Sequence, residues 1–67
     1  MANFAQVNHA IRARFPKLDI EAVRGAGYVY FAGDDAEGIE SIYAHPASTP
    51  TPHMIRMAIE HINDACA

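Results

Sequence analysis

The sequence predicts an α+β fold: a helix, a three-stranded antiparallel meander and a second helix, in two layers with both helices on one sheet face. Three observations predict it. Apolar residues recur at helical spacing near both ends of the chain, and short aromatic or β-branched runs punctuated by glycine lie between them. Prolines at positions 46, 50 and 52 then separate the last run from the last helix. With 67 residues the chain is a single domain spanning 1–67. A core this small stabilises by only about 3–5 kcal/mol unless a metal, a disulfide or a partner adds to it.

The first helix is expected over Phe4–Phe15. Asn3 supplies a side-chain oxygen for the N-cap, and Gln6 stands three residues later as a capping box requires. Phe4, Val7, Ile11 and Phe15 fall on one stripe, and Pro16 disfavours helical geometry in the residue before it.

Two runs follow, Asp19–Arg24 and Tyr28–Ala32, around Gly25-Ala26-Gly27. Glycines at a tight reversal supply the positive φ of a hairpin turn. The segment Gly33–Gly38 has the composition of a surface loop, and Ile39–Ala44 alternates as a third strand would. The connector HPASTPTP is too rich in proline for a central strand. Thr51 and Pro52 read as a hydroxyl cap and a first helical residue, opening a helix from about Pro52 to Ala65. Its expected apolar stripe is Ile55, Ala58, Ile59 and Ile62, with His53, Arg56, Glu60 and Asn63 opposite and Met54, Met57 and His61 on the boundary. The predicted core is Phe4, Val7, Ile11, Phe15, Val29, Phe31, Ile42, Ile55, Ile59 and Ile62.

Strand alternation divides these residues between two faces. Val29, Phe31 and Ile42 suit the helix-covered side. Tyr28, Tyr30 and Tyr43 then stand together on the open side, where tyrosines form cross-strand pairs or serve as contact residues. Asp34, Asp35 and Glu37 form an acidic turn beside that sheet, either solvated or set to meet arginines of a partner. The candidate partner-binding residues are therefore Tyr28, Tyr30, Tyr43, Asp34, Asp35 and Glu37.

The stretch RGAGYVYF invites an RNA-recognition reading. Arg24, Gly25, Gly27, Tyr28, Val29 and Phe31 match that strand motif, but Ala26 stands where a stacking aromatic is required. The preceding element is a helix rather than a strand. The net charge is −3, divided into +2 over residues 1–24 and −5 over the remainder. Phosphate backbones select for positive charge, so nucleic acid is disfavoured. A single-strand binder using the tyrosines and Arg24 is the alternative to a protein-binding module, and a homodimer paired through its sheet faces is a third.

No metal site is expected. His53 and His61 are eight residues apart, roughly 12 Å along a helix, whereas zinc ligands lie about 2 Å from the ion. The acidic turn lacks the ligand spacing of a calcium loop. Ser41, Ser48 and Cys66 sit in no nucleophile motif, so no catalytic residue, no cofactor and no enzyme activity are expected. The lone Cys66 excludes an internal disulfide and suits a reducing cytoplasm. The first ten residues lack a signal-peptide pattern, and no apolar run spans a membrane.

The order helix, Phe15-Pro16, strand, glycine-tyrosine hairpin, acidic turn, strand, proline-rich connector, helix resembles small uncharacterised proteins of phages and mobile elements. Gly25, Gly27, Tyr28, Tyr30 and Phe31 carry the likeness, with Phe15-Pro16. Some proteins of that class are anti-CRISPR inhibitors, which bind an effector nuclease as compact wedges. The resemblance implies a non-enzymatic inhibitor, cytoplasmic in a host cell, that occupies a surface of a CRISPR-Cas nuclease or another defence effector.

Overall fold

A computed structural model describes residues 1–66. Helix α1 (Phe4–Arg14) leads into strand β1 (Glu21–Arg24), which pairs antiparallel with β2 (Val29–Ala32); helix α2 (Thr51–Cys66) follows a long connector. The α+β class and both helices are as the sequence predicts. The three-stranded meander is not. Its expected third strand, Ile39–Ala44, is reduced to one antiparallel bridge between Ile42 and Val29, whose N–H and C=O groups exchange bonds of 2.8 and 2.9 Å.

The ladder stops on either side of that bridge for two different reasons. Two residues towards the turn, Gly27 has φ +82°, the positive value that a type II turn places at its third residue. In the other direction, register would match Phe31 with Glu40. The Glu40 carbonyl is instead taken by His61 of α2, whose Nδ1 donates to it at 2.7 Å. One histidine thus ties the segment to α2 rather than to the sheet.

Asn3 caps α1 as expected, its Oδ1 accepting the Gln6 N–H at 3.2 Å. Phe15 closes the helix by donating its N–H to Ile11 at 2.8 Å. Thr51 does not cap α2: its hydroxyl oxygen accepts the Asn3 N–H at 2.9 Å, while Met54 bonds back to the Pro50 carbonyl at 3.0 Å. With Ala2 bonded to the Pro46 carbonyl at 3.0 Å, the start of α1 and the start of α2 are fastened together through the connector.

One core joins Val7 and Ile11 of α1, Ala22 of β1, Val29 of β2, Ile42, and Met54, Ala58 and Ile62 of α2. The α2 ridge is therefore 54-58-62, rotated from the expected stripe. Met54, expected at the boundary, is fully buried, whereas Ile55 and Ile59 lie half-buried on its flank. Residues spaced by four lie nearly along the helix axis, and small Ala58 at the middle of that ridge lets α1 approach. Phe4, Phe15 and Phe31 pack on the core's edge rather than inside it.

Asn8 is a polar residue within this interior, 7% exposed. Gly25 donates its N–H to Tyr28 at 2.8 Å, and from that parity the Ala22 N–H and C=O point away from β2. The Asn8 amide meets both: Oδ1 accepts the Ala22 N–H at 2.7 Å and Nδ2 donates to the Ala22 carbonyl at 3.1 Å. A helix side chain thereby closes the outer edge of β1 at Ala22, the kind of position at which an open sheet recruits foreign strands.

Candidate binding face

The hairpin carries its side chains in two sets. Ala22 and Val29 enter the core, with Phe31 packed at its margin. Tyr28 and Tyr30 point to the opposite face, and Tyr43 joins them from the bridge segment. Tyr28 is the middle ring. Its centroid is 6.0 Å from Tyr30, tilted by 36°, and 6.4 Å from Tyr43, stacked within 28°. Tyr43 is 87% exposed and Tyr30 39%, so two of the rings offer substantial surface. The expected grouping of all three tyrosines on the open face is what the structure has.

Gly25 makes room for this arrangement. A Cβ there would stand 2.6 Å from Cζ of Tyr28, so the ring lies directly over the glycine of the facing strand. Glycine has no side chain to cover its stretch of sheet, and the tyrosine ring covers it instead. The two glycines of RGAGYVYF thus have different tasks: Gly27 turns the chain, and Gly25 seats the central ring.

The acidic turn lies past the end of β2 remote from the hairpin turn, nearer in sequence to Tyr30 than to Tyr28. Much of it is a fold element. Asp35 Oδ2 accepts the Asp19 N–H at 2.7 Å, Asp19 Oδ2 accepts the Asp34 N–H at 3.1 Å, and the Asp35 N–H donates to the Asp19 carbonyl at 3.1 Å. Gly33 permits this close approach, with φ +119° and no Cβ, which would overlap the Asp19 carbonyl oxygen. Asp35 is therefore partly committed to locking the turn, whereas Asp34 and Glu37 hold exposed carboxylates. The turn also explains why β1 begins at Glu21 rather than at Asp19 as expected.

Arg24 does not join the tyrosines. It alternates to the helix side of β1, and its guanidinium donates to the Met1 sulfur at 3.3 Å. A stacking platform flanked by that cation is not assembled. Among the described residues no group of three His, Cys, Asp or Glu side chains is placed to hold a metal ion, and no helix is long and apolar enough to cross a membrane. Cys66 is exposed at the end of α2.

Two residues escaped the sequence reading. Asn8 follows Phe4 by four and precedes Ile11 by three, so it lies in the apolar stripe of α1; a lone amide in such a stripe was the available signal. His61 lies on the margin of the α2 ridge, its ring 6.4 Å from that of Phe31. Two shallow clefts flank it: one of about 250 Å³ bordered by Gly38, Glu40, Asp64 and Ala65, the other by Glu40, Ser41 and Tyr43.

The chain matches no family model, no curated protein and no solved structure.

Proposed function

We infer that this protein is a small non-enzymatic protein-binding module that acts by occupying a surface of its target. The observation that carries the reading is the tyrosine row Tyr43-Tyr28-Tyr30, with two rings exposed on a sheet face that neither helix covers. Tyrosine supplies a large, rigid contact area with a hydroxyl at its rim, and few χ angles are frozen on binding. Asp34 and Glu37 form the acidic rim, with Asp35 contributing its second oxygen. Rim charges of this kind hasten encounter with a basic target more than they tighten the complex. The phage-protein resemblance supplies the target class: a host defence effector such as a CRISPR-Cas nuclease, whose nucleic-acid channels are basic.

The position of Arg24 favours this reading over single-strand binding. A stacking groove needs cations along the backbone path, and here the nearest arginine in sequence is turned to the other side of the sheet.

Site-specific photocrosslinking in extract of the host cells tests the reading. Tyr30→p-benzoylphenylalanine should crosslink one discrete protein, while the same substitution at exposed Arg12 should not. Crosslinks from position 30 to nucleic acid alone would overturn it.

A further inference from the structure

The sheet has one edge on which no outward backbone group is bonded to a described residue. On β1 the edge is capped by Asn8 at Ala22. On the other side the last extended segment is Ser41-Ile42-Tyr43. Ile42 directs its N–H and C=O inward to Val29, so those of Ser41 and Tyr43 point outward. Neither residue makes a backbone hydrogen bond to any described residue. Ser41 is half-exposed, Tyr43 almost fully so, and one of the clefts beside His61 runs along them.

That edge has a definite charge. Glu40 borders both clefts and Asp64 borders one, both exposed, with no lysine or arginine among the lining residues. The His61 ring, fixed by its Nδ1 bond to the Glu40 carbonyl, lines both clefts. A second copy of this chain would bring the same two carboxylates against their counterparts. An extended segment bearing lysine or arginine would meet them with opposite charge.

We propose that the Ser41–Tyr43 edge takes up an extended, basic peptide segment of the target as an added strand. This deepens the protein-binding reading and rests on it. The incoming strand bonds the outward N–H and C=O groups of Ser41 and Tyr43, as strand addition does elsewhere. Its basic side chains reach Glu40 and Asp64. Tyr43 belongs both to this edge and to the tyrosine row, so the added strand extends the same contact surface.

The test is a titration of ¹⁵N-labelled protein with a short capped peptide alternating lysine and valine, and with its glutamate-for-lysine counterpart, each to about millimolar concentration. The lysine peptide should slow hydrogen exchange at the Ser41 and Tyr43 amides, leaving Ile42, already bonded to Val29, little changed. The glutamate peptide should leave the exchange of all three amides unchanged. Ser41→Pro removes an outward donor that the fold does not use and should weaken lysine-peptide binding at least about tenfold. Glu40→Gln with Asp64→Asn should weaken it without altering the free protein's spectrum. Equal binding of both peptides would overturn the proposal. So would amide protection that grows with protein concentration alone, which would make the occupant another copy. Peptide shifts confined to the Tyr28 and Tyr30 rings would overturn the edge while leaving the tyrosine face standing. A failed crosslink at position 30 with intact edge protection would do the reverse.

Discussion

Replacing Asn8 by leucine removes the side chain that closes the β1 edge at Ala22 while keeping the same number and branching of side-chain heavy atoms. Both of its bonds, at 2.7 and 3.1 Å, go to Ala22, which is 2% exposed. Leucine leaves the Ala22 N–H and C=O buried without partners and fills the space that water would need. Each stranded group costs about 1–3 kcal/mol, and the added apolar contact offsets part of that, for a net loss of about 2–4 kcal/mol. Against a stability of about 3–5 kcal/mol for a domain of this size, only about 1 kcal/mol would remain at the middle of these ranges, so a substantial fraction should be unfolded near 37 °C. Thermal and urea unfolding followed by circular dichroism would measure it, with a melting temperature lowered by roughly 10–25 °C. Asn8→Asp sharpens the test. Its ionised carboxylate keeps the bond from the Ala22 N–H but sets an anionic oxygen against the Ala22 carbonyl. Its neutral form restores a donor, so the introduced carboxyl is protonated more readily in the folded state. The folded pKa is thus raised above the unfolded value of about 3.9. The restored stability is fully present below that value and is lost as pH rises through the folded pKa. The gap to the parent should shrink in acid. An Asn8→Leu protein within about 0.5 kcal/mol of the parent would refute the reasoning, since that is the range of substitutions away from any structural role.

Met54→Ala should cost about 2–5 kcal/mol in the same assay, because Met54 is wholly buried at the N-terminal end of the α2 ridge. Half-buried Ile59→Ala should cost clearly less. Gly33→Ala should destabilise by about 2–4 kcal/mol, from positive φ and from the approach to Asp19 O; a neutral result would contradict the turn lock. Gly25→Ala should act differently, displacing a ring that can swing away, so the Tyr28 ring signals should move in NMR with little loss of stability. Fluorescence titration with labelled single-stranded DNA at about 150 mM salt should show no binding, and salt-sensitive binding lost in Tyr28→Ala would restore the nucleic-acid reading.

Most of what was legible in the sequence was local. The Asn3 cap, the Pro16 stop, the glycine hairpin and the division of Tyr28 and Tyr30 from Val29 and Phe31 all follow from neighbouring residues. So did the grouping of Tyr43 with them, since parity alone sets it opposite Ile42. What failed depended on contacts distant in sequence. The third strand shrank to a bridge because His61, 21 residues away, holds the Glu40 carbonyl. The α2 ridge was misphased because 54-58-62 and 55-59-62 are both apolar, and only packing against α1 distinguishes them. Thr51 looked like a cap until the N-terminal segment claimed its hydroxyl. In the acidic turn, the sequence showed three carboxylates but not that one of them bonds the Asp19 backbone.

The central claim is that the tyrosine row is the contact surface, and the most direct measurement is the affinity of the crosslinked partner for single alanine variants by calorimetry. Tyr30→Ala and Tyr43→Ala should each weaken binding by about 2 kcal/mol or more, roughly thirtyfold, as truncation of a central interface tyrosine does. Arg12→Ala, on the exposed side of α1, should leave it within about twofold. Unchanged affinity in both tyrosine variants, with a loss in Arg12→Ala, would contradict the account and move the binding surface to the basic helix.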